Sequence, residues 1–380
     1  MSRIPVLQIV DTLEPGGYER LAVNLANALP RDRYVPSLCV TRAGGPLEAD
    51  LVSDVERLAL GRRRTFDPAA LLRLVSFVRS RGVRILHPHG PSLFLARVAA
   101  LFPPYPAVVW HAHFGRVAAQ DRRAWPYRLA VLGIGGVIGV NQTLVDWARR
   151  RLGIAASRSW YLPNIAGDAG AAAPAPDLPG AAGRRILCVG NLRPEKDHGT
   201  LLRAVALAVR QVPGAHLLLA GAPVAQDYTR ALHDTVRELG LEHHVTFLGR
   251  RTDSAALMRA CDIGVLSSRF EGLPMSLLEY GMASLPVVST AVGQCGEVLE
   301  DGRCGILVPP GDAAQLGAGL LALLGSAALR AAYADRFHRR VVSGYSAAAV
   351  MGRLSSIYET VLAGRHTARE QQPVRAGAIE

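Results

Sequence analysis

The sequence predicts an α/β protein of two doubly wound parallel-sheet, Rossmann-like domains facing a cleft. Three observations carry this. Short apolar runs alternate with helical patterns along the 380 residues, the signature of parallel sheets covered on both faces. The alternation breaks once, at GDAGAAAPAPDLPGAAG (167–183), which has almost nothing to pack and reads as a linker. It then restarts. The boundaries expected are 1–166 for the first domain, 167–183 for the linker and 184–345 for the second domain. Residues 346–380 read as a helix returning to the first domain, followed by a frayed tail.

In the first half IPVLQIVD (4–11), VPSLCVTR (35–42), VRILHPHG (83–90), AVVWHAHFG (107–115) and GGVIGVNQ (135–142) read as strands. ERLAVNLANALP (19–30) and LLRLVSFVRSRG (71–82) have helical periodicity. In the second half RRILCVG (184–190), HLLLAG (216–221), HVTFLG (244–249), CDIGVLSS (261–268), LPVVST (285–290) and GILVPP (305–310) read as strands, separated by helices such as GTLLRAVALAVRQ (199–211). In such folds ligands bind outside the carboxyl ends of the strands.

Composition excludes several classes. The chain is 49% hydrophobic and 19% charged, which rules out disorder. The longest apolar stretch, LAVLGIGGVIGV (129–140), is too short for a membrane helix and reads as a buried strand. MSRIPVLQIVD runs straight into a strand pattern with no visible leader. Cys39, Cys188, Cys261, Cys295 and Cys304 form no CxxC pair, so neither a disulfide framework nor a zinc knuckle is expected and a cytoplasmic location is. The net charge of +12 points to anionic partners, nucleotide phosphates or an acidic membrane surface. Arg62-Arg63-Arg64 and the mixed cluster Arg122, Arg123, Trp125, Tyr127 and Arg128 suit peripheral contact with the inner face of a membrane. No motif for nucleic-acid binding stands out.

All but one of the 43 basic residues are arginine, and Lys196 is the exception. A lysine kept against that bias is a candidate for a place where a planar fork cannot replace a compact ammonium. It lies in GNLRPEKDHGT (190–200), after a buried strand and before a helix, where Arg193 and Lys196 could both reach a phosphate. In FEGLPMSLLEYGMASLPVVS (270–289) Pro274 suits the first helical position, and the amides of Met275, Ser276 and Leu277 would then form an anion site. Glu271 in the loop and Glu279 on the helix can read different hydroxyls; the alternative is one capping and one surface Glu. In DTLEPGGYER (11–20), Gly16 and Gly17 allow close backbone approach to a ligand. His87 and His89, and His111 and His113, end two strands. They are candidates for donating to substrate oxygens or for structural burial; zinc lacks a third ligand at usable spacing. No DxD, P-loop, GxGxxG or GxSxG motif occurs.

Together these motifs resemble glycosyltransferase family 4, retaining enzymes of the GT-B architecture. The block from CDIGVLSS through GILVPPGD is similar to that family's signature, with the E-x7-E element on Glu271 and Glu279. GNLRPEKD is similar to the family's G-R-L-x-x-E-K-G, which places a phosphate-binding pair on Arg193 and Lys196, and EPGGYER resembles its early glycine loop. His113 falls where the family has a histidine. The resemblance implies a nucleotide-diphosphate sugar donor held mainly by the second domain. Gly16, Gly17, Gly190, Gly249, Arg250, Leu273, Met275, Ser276, Leu277 and Glu279 would line it, and Glu271, Lys196, Arg193 and His113 would be catalytic. It implies a saccharide or lipid-linked acceptor on the first domain, a role in polysaccharide or glycolipid synthesis, and no metal or other cofactor. Departures fall at Asn164-Ile165, where the family usually has Asn-Gly, at Ser267, where it has Pro, and at Ser284 and Gln294, where it has Gly. A nucleotide-sugar epimerase and a non-catalytic nucleotide-sugar-binding subunit are the competing readings.

Overall fold

A computed structural model describes residues 3–14, 16–113, 124–167 and 176–370, the side chains of 366–370 excepted. The chain divides into two compact units, Met1–Ile165 with Val350–Glu380, and Ala166–Ala349.

The first unit holds a seven-stranded, all-parallel sheet among the described residues. Its strands are β1 (Ile4–Thr12), β2 (Tyr34–Ala43), β3 (Glu56–Ala59), β4 (Ile85–Pro88), β5 (Ala107–Ala112), β6 (Gly136–Gly139) and β7 (Ser159–Tyr161), in the order β3-β2-β1-β4-β5-β6-β7. The order reverses between β1 and β4, the switch point where such sheets open a crevice. Helices α1 (Gly17–Ala28), α2 (Pro68–Ser80), α3 (Leu93–Ala99), α4 (Trp125–Ala130) and α5 (Gln142–Leu152) connect the strands. Two caps explain where helices start. The carboxylate of Asp67 accepts from Ala70 N ahead of α2, and the Asn141 side chain accepts from Leu144 N ahead of α5. Helix α5 ends at Gly153, whose φ of 72° only glycine adopts cheaply.

The second unit has six parallel strands: β8 (Arg185–Val189), β9 (His216–Ala220), β10 (Val245–Gly249), β11 (Ile263–Leu266), β12 (Val287–Thr290) and β13 (Ile306–Val308). Their order is β10-β9-β8-β11-β12-β13, with the reversal between β8 and β11. Helices α6 (His198–Gln211), α7 (Gln226–Glu238), α8 (Ser254–Ala260), α9 (Met275–Met282), α10 (Cys295–Val298), α11 (Ala313–Gly325) and α12 (Ala327–Tyr345) complete it, and α13 (Ala347–Glu370) follows. The β8–β11 ladder pairs only Ile186 with Ile263 and Leu187 with Gly264. Beyond that the strands part, and the buried Tyr280 fills the gap. Its hydroxyl accepts from Val189 N at 2.7 Å and donates to Leu187 O at 3.1 Å. Gly264 makes this possible, since a Cβ there would meet the Tyr280 ring at 2.9 Å.

Several expectations need correcting. The short edge strands β3 and β7 escape the pattern because neither carries a continuous apolar run. The stretch 129–140 is not one strand. It spans the end of α4, which exposes Leu129, a turn exposing Leu132, and then β6. The described part of the linker is packed rather than free: Leu178 is buried, and the Arg185 guanidinium donates to the carbonyls of Leu178, Pro179 and Gly180. Helix α13 runs on to Glu370, through part of the expected tail. All five cysteines are free and buried, and burial pushes the Cys188 and Cys261 thiols up to about 12. Among the described residues no single helix is long and apolar enough to cross a membrane.

Candidate functional site

In the second unit the carboxyl ends of β8 and β11 bring the two strongest motifs together. The chain leaves β8 through Gly190, makes a 3-10 turn at Pro194–Lys196 and enters α6 after Asp197. A Cβ on Gly190 would lie 3.3 Å from Lys196 Cε, so the glycine makes room for the lysine stem. Asp197 takes left-handed dihedrals (φ 49°) and is held by Thr200 Oγ1 and by Arg269 Nε, each at 2.8 Å. From β11 come Ser267 and Ser268. The Ser267 hydroxyl donates to Lys196 O at 2.8 Å, so this departure from the family pattern pins the lysine turn.

Lys196 Nζ meets Glu271 Oε1 at 2.6 Å, and Ser268 Oγ donates to the same oxygen at 2.6 Å. The pair is largely buried, with side-chain exposures of 24% and 12%. Burial makes the partnership strict, since stripping one member would leave an uncompensated charge. Among the described residues Glu271 Oε2 has no partner. Arg193 is exposed and ion-pairs with none of them. The loop carrying Glu271 is braced by Gly293 (φ 54°), where a Cβ would meet Glu271 O at 2.3 Å, and by Gln294 N donating to Gly272 O at 2.9 Å.

Helix α9 differs from its expectation at its first turn. Pro274 is the N-cap, with φ −72° and ψ 118°, and the helix proper begins at Met275. Leu277 N donates to Pro274 O at 3.2 Å, so its amide is already used and leaves the expected anion site. Ser276 is buried at the helix start, and Leu273 and Met275 pack on the core beneath the loop. Glu279 lies about one turn along the helix, largely buried, with no hydrogen-bond or ion-pair partner among the described residues. Burial raises its pKa above the usual carboxylate value. Gly249 ends β10 with φ 65°, and Arg250 beyond it is exposed. Ser284 takes φ 56°, which explains why glycine is the usual residue there.

The first unit carries the glycine loop and the histidines. Gly16 caps α1 and Gly17 opens it. Glu19 folds back so that a Cβ on Gly16 would meet its Oε2 at 2.2 Å, whereas Gly17 has open space around it. The Tyr18 ring lies 5.6 Å from that of His113. Sequence spacing missed the next feature. The strands carrying the two histidine pairs are neighbours, and His89 bridges His111 in a short parallel ladder. All four rings therefore stack, with centroids 4.5–5.2 Å apart between neighbours. Ligand atoms of His87, His89 and His111 lie within 4.8 Å of one another. The third ligand absent from either strand thus comes from its neighbour. Their nitrogens are mostly bonded to one another, to Gln8 and to Tyr358, a donor set built as a hydrogen-bond network.

Among the basic clusters, Arg62 turns inward, with 9% of its side chain exposed and Nη2 3.3 Å from Asp11 Oδ1. Arg63 and Arg64 are exposed. Arg122 and Arg123 lie outside the described residues. Trp125 is 61% exposed, Arg128 is exposed, and Tyr127 stacks on Trp110.

Comparison with known proteins places this architecture. Residues 15–165 match the model described as Glycosyltransferase Family 4, and residues 183–326 match Glycosyl transferases group 1. The phosphatidyl-myo-inositol mannosyltransferase of Mycolicibacterium smegmatis is 28% identical over 369 residues, covering 94% of this chain and 89% of its own. The lipopolysaccharide core biosynthesis glycosyltransferase LpsE of Rhizobium meliloti is 26% identical, covering 88% of this chain and 93% of its own. Among solved structures, Anabaena Alr3699/HepE in complex with UDP superposes with a TM-score of 0.75 at 19% identity, covering 94% of this chain and all of that one. WaaG, a glycosyltransferase involved in lipopolysaccharide biosynthesis, gives 0.64 at 17% identity, covering 93% of this chain and 99% of that one. Fold and relatives together define a glycosyltransferase of the GT-B type. The chain belongs to glycosyltransferase family 4.

A buried carboxyl with a raised pKa binds its proton more tightly in the folded chain. Its contribution to stability is present below the unfolded pKa and is lost as pH rises through the folded one. At pH 7 the ionised Glu279 therefore costs stability. Glu279→Gln is expected to raise the melting temperature at pH 7, with the difference closing below the ordinary Glu value of about 4.3. A variant that melts lower than wild type at pH 7 contradicts this.

Proposed function

We propose that the protein is a retaining, metal-independent hexosyltransferase that takes a nucleotide-diphosphate sugar and glycosylates a saccharide or lipid-linked acceptor in cell-surface polysaccharide or glycolipid synthesis. The observation that carries this reading is the Lys196–Glu271 pair at the β8–β11 switch point. It offers one partly buried ammonium to a diphosphate and one unoccupied carboxylate oxygen to a sugar hydroxyl. The HepE structures hold UDP and UDP-glucose, which supports a nucleotide sugar as donor.

In this reading the exposed Arg193 and Lys196 neutralise the leaving diphosphate, helped by the start of α9 at Ser276. Cationic side chains and a helix N-terminus then do what a metal does elsewhere. Glu271 Oε2 holds the sugar ring and the partnerless Glu279 accepts from the ribose. Gly249 and Arg250 border the base. In the first unit, His113 and the open backbone at Gly17 serve the reacting groups. Product and donor share the same anomeric configuration.

A lipid-linked acceptor is favoured by a cavity of about 270 Å³ in the first unit. Arg42, Arg62 and Asp11 form its polar wall, and Phe66, Phe94 and Val98 its apolar one. Arg62 Nε is buried there without a partner. Next to it, α3 and α4 expose Val98, Trp125 and Leu129, with Leu101 and Leu132 just beyond. Apolar and interfacial side chains beside arginines suit insertion into an anionic surface. The protein then works in the cytoplasm, peripherally on the inner membrane face.

Lys196→Ala is expected to cut turnover on the order of 10²–10³-fold, the usual cost of removing an electrostatic stabiliser. Lys196→Arg should not restore it, because the fork does not fit a site built around one ammonium. Near-normal turnover in a folded Lys196→Ala variant would overturn the assignment. Activity should also survive exhaustive EDTA; loss on chelation that Mg²⁺ or Mn²⁺ restores argues for a metal-dependent reaction instead.

Liposome co-sedimentation tests the surface. Binding should require anionic lipid and fall steeply with salt, at roughly 1 kcal/mol per cation near the surface. Trp125→Ser with Leu129→Ser should weaken it further. Equal recovery on neutral and anionic vesicles removes the electrostatic mechanism.

A further inference from the structure

The four stacked histidines form two hydrogen-bonded chains that meet at one side chain. Gln8, at 0% exposure on the central strand β1, sends Oε1 to His89 Nε2 at 2.8 Å and Nε2 to Tyr358 OH at 3.3 Å. On the first branch His89 Nδ1 meets His113 Nε2 at 2.9 Å. On the second, Tyr358 OH meets His87 Nδ1 at 2.6 Å, and His87 Nε2 meets His111 Nδ1 at 3.1 Å. The second branch ends at His111 Nε2, which is buried without a partner.

Burial holds His87 and His113 down to about 3 and His89 and His111 well below their ordinary value. Each ring is therefore neutral and carries one proton. That makes the protons in each branch interdependent. Because Gln8 Oε1 can only accept, His89 carries its proton on Nε2. Its Nδ1 is then an acceptor and must receive Nε2–H from His113. His113 is left with a lone pair on Nδ1, which has no partner among the described residues. Turning the Gln8 amide over would reverse every proton in both branches and convert Nδ1 of His113 into a donor.

We propose that Gln8, acting through His89, is the positioning residue that sets the ring tautomer of His113, so that His113 presents Nδ1 to the reaction as a hydrogen-bond acceptor for a substrate hydroxyl. This reverses the expectation that the histidine donates to substrate oxygens. The role in transfer rests on the glycosyltransferase reading; the proton arrangement does not. A second consequence concerns Tyr358, which brings α13 into the same network. Its branch leads to His111 and away from His113, so it shares the hub without setting the outer tautomer.

The test is long-range ¹H–¹⁵N spectroscopy of the histidine rings in the full-length protein without substrate, with His113 assigned by the loss of its signals in His113→Asn. Wild type should show His113 with its proton on Nε2. Gln8→Met, close in volume and uncharged, should give mixed tautomers at His113, and Gln8→Glu, which still accepts from His89, should keep the wild-type pattern. Tyr358→Phe should move the His87 and His111 signals and leave those of His113. Should Gln8→Glu fail to fold, His89→Leu serves beside Gln8→Met, since it removes the acceptor directly. A wild-type His113 protonated on Nδ1, or a His113 tautomer indifferent to Gln8→Met, overturns the proposal. In sugar transfer Gln8→Met should lose about tenfold in kcat/KM, one neutral hydrogen bond's worth. If the tautomer follows Gln8 while transfer is unchanged, the positioning stands and the role of His113 in the reaction falls.

Discussion

The second unit depends on how its sheet comes apart. After Leu187 and Gly264 the β8 and β11 ladder stops, and two strand ends must satisfy their backbone groups without each other. In a buried setting that need is strict, because an unpaired amide costs about as much as a lost hydrogen bond. One phenol meets it: the Tyr280 hydroxyl takes the Val189 amide and faces the carbonyls of Leu187 on β8, at 3.1 Å, and Val265 on β11, at 3.4 Å. Tyr280 sits on α9, so the repair also fixes the helix whose preceding loop carries Glu271. The gap, its plug and the candidate donor site form one construction.

Charge in that gap is held as a compensated pair. Lys196 and Glu271 are buried enough that neither can be left alone, and Ser268 supports the carboxylate oxygen they share. In the proposed reaction an arriving diphosphate would take over part of the lysine's pairing, and a sugar hydroxyl would occupy Oε2. The exchange would keep both charges compensated. Arg193 adds charge without burial, and a serine in place of the usual proline at position 267 anchors the turn through its hydroxyl.

The first unit solves a different problem at its own switch point. Four histidines at adjoining strand ends would repel if charged, and burial keeps them neutral. Neutral imidazoles must alternate donor and acceptor, and this turns a packing cluster into an ordered network with polarity. Close to it, the inward-turned Arg62 and the apolar faces of α3 and α4 give the unit an amphipathic surface.

Local pattern determined most of the fold. Eleven of the strands appear as apolar runs, and Asp67, Asn141 and Gly153 mark helix ends through chemistry confined to a few residues. The edge strands β3 and β7 did not show, because their partners rather than their own composition make them strands. The candidate-site residues were legible because Lys196 is the one lysine and because Glu271 and Glu279 share a single short segment. Tertiary structure alone decided the rest. It paired Lys196 with Glu271 from 75 residues away and placed Tyr280 between two strands. It tied up the Leu277 amide through Pro274 as the cap, and it joined two histidine pairs into one network with Gln8 and Tyr358. These contacts depend on strand order and on burial, and neither is written in the spacing of neighbouring residues.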